Sequence, residues 1–184
     1  MCLPGSKLEN RTNLFTINSI LRDEILNAKP KNSEYVFVYQ STKSYDKLID
    51  LLKRINYKFI IYGFDKNQTV GNLIFKKFDD GKDFMKDLIN CKAVITNGGF
   101  TLISEAIYLK KPVLVVPIKK HFEQILNALY IQKNKLGEFY SDLNENHVVE
   151  FIMGLKNYDF SKIEKWDNEK AFQLLDMLIR KETK

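Results

Sequence analysis

A chain of 184 residues that is 45% hydrophobic and 28% charged can build one well-packed core, and it is far from the composition of a disordered protein. The formal charge of +6 admits an anionic partner, but the lysines are scattered and no basic stripe interleaved with aromatics stands out, so a nucleic-acid binder is the least expected reading. Cys2 and Cys91 lie far apart without metal-ligand spacing, which argues against a disulfide framework or zinc site and for a reducing, cytoplasmic setting.

Residues 1–18 are polar and mixed and read as a linker or tail; residues 19–184 read as one domain. The opening MCLPGSKLEN lacks the basic head and apolar stretch of a signal peptide. No apolar run approaches the length of a membrane span. Ser19 to Asn27 predicts a short helix that stops before Lys29-Pro30. YVFVYQ (35–40) is a β-rich run, and Leu48, Ile49, Leu51, Leu52 and Ile55 then repeat at helical spacing. YKFIIYGF (57–64) predicts a second strand and Asn72 to Phe78 a third. After Gly81, Phe84, Met85, Leu88 and Ile89 mark a helix.

KAVITN (92–97) predicts a fourth strand, followed by a helix over 100–110. PVLVVPI (112–118) predicts a fifth, followed by a helix over 121–133, and the last helix is expected over 168–181. Strands alternating with helices of this length indicate βαβ units and a parallel sheet. The strands are apolar throughout, as strands covered on both faces should be. The expected fold is therefore α/β, a Rossmann-like doubly wound parallel sheet.

In such a sheet ligands sit where strand ends lead into helix starts, and Asn97-Gly98-Gly99 occupies that place after the fourth strand. The glycines fit a tight turn. They also fit a phosphate cradle, because they clear side chains away and let peptide N–H groups face one anion at a helix start. Along the helix, Thr101, Ser104, Glu105 and Tyr108 fall on one arc, with Leu102, Ile103, Ala106, Ile107 and Leu109 on the other side. The polar arc is expected to face a cleft or solvent. Glu105, just over one turn from the glycines, is either a surface carboxylate or an acceptor for a ribose diol. In PIKKHFEQILNA (117–128), Glu123, Gln124 and Asn127 are either capping and surface groups or contacts for the hydroxyls of a second ligand moiety. His121 and His147 carry little weight on their own.

ITNGGFTLISEAIYLKKPVLVVPIKKHFEQILNA resembles the donor-binding half of GT-B glycosyltransferases, a superfamily that includes the bacterial lipid-linked N-acetylglucosaminyltransferase and the UDP-glucuronosyltransferases. It is most similar to archaeal and bacterial glycosyltransferase-like proteins with a Gly-Phe turn, a Glu-Ala helix and a Glu-Gln-x-x-Asn-Ala motif. The resemblance covers about Ile20 to Gly137. It implies one half of a GT-B architecture that binds a UDP-sugar. Asn97, Gly98, Gly99, Phe100 and Thr101 would hold the diphosphate, flanked by Gln40, Ser41 and Thr42. Asn97 stands where the glucuronosyltransferases have histidine. Glu105 would bind the ribose, Phe78 and Asp79 the base, and Glu123 and Gln124 the sugar, with Asn127 supporting that turn.

No Asp-x-Asp motif is present, so the helix start is expected to serve in place of a metal, and no cofactor is expected. The acceptor and the catalytic base would come from an N-terminal domain or a separate subunit. A lipid-linked acceptor would bring peripheral contact with a membrane. The last helix, through Trp166, Phe172, Leu175, Met177 and Leu178, would either face that other half or pack on the core. The rival readings are a nucleotide-sugar sensor on the same fold and half of a UDP-N-acetylglucosamine epimerase.

Overall fold

The computed structural model describes residues 17–31, 33–41, 46–79, 81–163 and 168–182. In chain order it runs α1 (Asp23–Leu26), β1 (Val36–Tyr39), α2 (Asp46–Leu52), β2 (Phe59–Tyr62), β3 (Gln68–Val70), β4 (Leu73–Phe75) and α3 (Lys82–Asn90). There follow β5 (Ala93–Thr96), α4 (Phe100–Tyr108), β6 (Val113–Val115), α5 (Phe122–Lys133), β7 (Gly137–Phe139), α6 (Glu145–Met153) and α7 (Glu169–Glu182). The expected strands and helices are all present, most of them trimmed at their ends. Two short strands, β3 and β7, are additional.

The seven strands lie in the order β3-β4-β2-β1-β5-β6-β7, parallel except for β3, which pairs antiparallel with β4 at one edge. Alternation of side chains across the central strands builds two cores. Val36 and Val38 of β1 and Ala93 and Ile95 of β5 point into one, covered by α2 and α6; Phe37 and Val94 point into the other, covered by α3, α4 and α5. Burial on both faces explains why these strands are apolar without alternation. The sheet is the Rossmann-like one expected.

From β1 the chain winds outward through β2 and β4 on one side, then returns to β5 on the other side of β1 and winds outward through β6. The strand order therefore reverses between β1 and β5. Beyond the carboxyl ends of those two strands lies the crevice where a doubly wound sheet takes its ligand.

The last helix meets the first residues of the domain. The Asn168 side chain accepts from Leu21 N–H at 2.9 Å and donates to Leu21 C=O at 2.7 Å. On α7, Ala171 is buried, whereas Phe172 and Met177 remain largely exposed. Trp166 lies outside the described residues.

Candidate functional site

Two loops form the crevice, one after β1 and one after β5, and the Asn97 amide ties them together. Its oxygen accepts from Ser41 N–H at 3.0 Å and from Ser41 Oγ at 3.4 Å. Its nitrogen donates to Gln40 Oε1 at 2.9 Å and to the Val116 carbonyl at 3.1 Å. Both amide hydrogens are thus used inside the protein, so Asn97 aligns the loops and has no side-chain donor left for a phosphate. The resemblance implies a diphosphate contact for Asn97; its side-chain amide is used in tying the loops. Gln40 is different. It is 1% exposed, its oxygen is engaged by Asn97, and its Nε2 has no hydrogen-bond partner among the described residues. A buried unsatisfied donor costs about 1–3 kcal/mol, so a group of this kind calls for an explanation.

The two glycines play separate parts. Gly98 has φ +103, and a Cβ there would sit 2.9 Å from Val115 Cγ1 and 3.1 Å from the Gln124 carbonyl oxygen. Close packing and a left-handed backbone both require glycine. Gly99, the N-cap of α4, has the ordinary φ of −62°, is exposed, and would bring its Cβ within 4 Å of nothing. The tight-turn reading therefore explains the first glycine and leaves the second unexplained. No side chain caps α4. The N–H groups of its first turn, among them those of Phe100 and Thr101, have no partner within the helix.

One turn further along α4 the expectation of a polar arc open to a cleft fails. Thr101 is exposed, but Ser104 and Glu105 are 0% and 1% exposed, covered by the segment that leads into α1. Ser19 Oγ donates to Ser104 Oγ at 2.7 Å. Arg22 forks onto Glu105, Nε to Oε1 at 2.7 Å and Nη2 to Oε2 at 2.8 Å. The hydrogen bond to Glu105 raises the Arg22 guanidinium above its ordinary range, against the opposing effect of partial burial. Periodicity correctly placed Glu105 on the polar side but could not reveal a partner 83 residues away in sequence.

Around the rim, α5 sends Gln124 and Asn127 inward. Gln124 Oε1 accepts from Ile118 N–H at 2.9 Å, and Asn127 Nδ2 donates to the Gly98 carbonyl at 2.9 Å. Both residues therefore hold the loops. Glu123, in the first turn of α5, is exposed. On the opposite side Phe78 is 58% exposed, with its ring edge-on to Phe84 at 5.0 Å, and Asp79 is exposed beside it. Thr42 lies outside the described residues. Among the described residues no group of three His, Cys, Asp or Glu side chains could hold a metal ion.

The model of a family described as glycosyl transferase family 1 matches residues 3–156. No curated protein matches the chain. Among solved structures, the glycosyltransferase SnogD from Streptomyces nogalater superposes with a TM-score of 0.56 at 15% identity, over 89% of this chain and 47% of that one. The spinosyn forosaminyltransferase SpnP gives 0.61 at 13% identity over 88% and 48%. The spinosyn rhamnosyltransferase SpnG complexed with thymidine diphosphate gives 0.54 at 14% over 79% and 42%. At these identities the likeness is one of fold, that of GT-B glycosyltransferases. The chain spans about half the length of the solved structures it matches.

Proposed function

Because this chain belongs to glycosyl transferase family 1, we propose that it is the donor-binding half of a glycosyltransferase and takes a nucleotide-sugar, foremost a UDP-sugar, in the crevice between the ends of β1 and β5. The observation that carries this reading is the orphaned amide of Gln40, a buried donor at the reversal of strand order beside an uncapped helix start. A diphosphate oxygen would satisfy it, and the N–H groups of Phe100 and Thr101 would hold the remaining charge, with Gly99 leaving room for it. Ser41 lies in the same loop.

The reaction is displacement at the anomeric carbon. An acceptor hydroxyl forms the new C–O bond as the bond to the diphosphate breaks, and charge grows on the leaving group. Fixed N–H donors at the α4 start stabilise that charge where it develops, with no metal required. The acceptor and the base that takes its proton belong to an N-terminal domain or a separate subunit. Glu123 takes sugar hydroxyls at the rim, and the exposed face of Phe78 takes the base. Glu105 binds the ribose diol once Arg22 yields, since a guanidinium fork and a pair of hydroxyls offer the same two donors to one carboxylate.

Calorimetric titration tests this with UDP, with thymidine diphosphate because a neighbour of the fold holds it, and with ADP as control. Saturable binding of UDP, weakened in Gln40→Glu and unchanged by a chelator, is the expected result. Failure of a folded sample to bind any of the three would overturn the reading. Tighter binding by Arg22→Gln, lost again in the double variant with Glu105→Ala, is the result expected for the ribose assignment. Binding indifferent to both changes would confine Glu105 to a structural role.

A further inference from the structure

The outward face of α5 is apolar where a surface helix is ordinarily polar. Phe122, Leu126 and Leu129 are 73%, 49% and 48% exposed, and their spacing sets them in one row along the helix. Lysines stand at both ends of the row. Lys119 and Lys120 are exposed in the turn before the helix, at the carboxyl edge of the sheet. At the amino edge Lys133, Lys135 and Lys162 line a recess of about 250 Å³. Glu123 is exposed in the first helical turn and Asp159 lines the recess. Cations outnumber them.

We propose that this face of α5 lies on an anionic membrane surface, with the apolar row at headgroup depth and the lysines against lipid phosphates. An apolar row with lysines at either end has the character of a helix that rests in the interface. Among the described residues no helix is long and apolar enough to cross a membrane, so the contact is peripheral. It would set the crevice, which opens near Phe122, beside the bilayer, where a lipid-linked acceptor presents its hydroxyl. That last consequence rests on the donor-binding reading; the membrane contact does not.

The test is co-sedimentation of the chain with vesicles of phosphatidylcholine alone and with added phosphatidylglycerol. Binding is expected only to the second, weakening as salt rises. The double variant Leu126→Ser/Leu129→Ser should bind at least about tenfold more weakly. Charge removal by Lys119→Gln with Lys133→Gln should cost about fivefold for each lysine lost. The leucine changes should leave UDP titration as it was, which separates this proposal from the donor reading. Wild type that fails to sediment with either vesicle, or a leucine variant that sediments like wild type, would overturn it. So would a dimer in light scattering that the leucine variant dissociates, because the row would then belong to a second copy.

Discussion

The first turn and the middle of α4 lie about one turn apart on the same polar arc and have opposite fates. The first turn is uncapped, with Gly99 and Thr101 exposed, and the orphaned amide of Gln40 follows the neighbouring strand β1. The middle, at Ser104 and Glu105, is sealed by Ser19 and Arg22. One helix thus carries an uncapped end and a midpoint already satisfied by the chain itself. Polar residues in a helical pattern mark where a partner is needed, and they do not say whether that partner is a ligand or another part of the protein.

The contrast is tested most strongly at Arg22. Removing it as Arg22→Ala leaves the Glu105 carboxylate buried and uncompensated, a loss of about 3–5 kcal/mol in urea unfolding. Removing Glu105 instead leaves a half-exposed guanidinium that water can reach, and Glu105→Ala should cost only about 1–2 kcal/mol. If the two losses are equal, the pair is not sealed as described. At the open end the glycines should separate in the same way. Gly98→Ala forces a Cβ against Val115 at a left-handed backbone position and should cost about 3 kcal/mol. The smallest stability change, within about 0.5 kcal/mol, is expected for Gly99→Ala, where the backbone is ordinary and the Cβ meets nothing.

The sheet was legible because its strands are apolar and its helices periodic. The two strands that escaped notice have physical reasons for it. Gln68, Thr69 and Val70 of β3 are all exposed at an edge and lack an apolar signature. β7 opens with Gly137, whose missing Cβ lets it approach the Val113 backbone, a contact made by spatial pairing that no local pattern announces. At the site, the glycine turn, Gln40 and the inward-facing Gln124 and Asn127 lie in stretches that the motifs marked out. The covering of Glu105 was not legible, because Arg22 lies 83 residues away in sequence and meets it only through tertiary packing. Asn97 shows the same limit: its position in the turn was readable, but its use as a tie depends on where Gln40 and Ser41 end up.

On the donor-binding reading, the start of α4 is kept open for the diphosphate of a donor. Gly99→Asp tests it most directly, because a carboxylate at this N-cap can take the free N–H groups itself while adding a few tenths of a kcal/mol of helix stability. The prediction is a protein that melts no lower than wild type and binds UDP at least about tenfold more weakly in calorimetric titration. Undiminished UDP binding by that variant would contradict the claim.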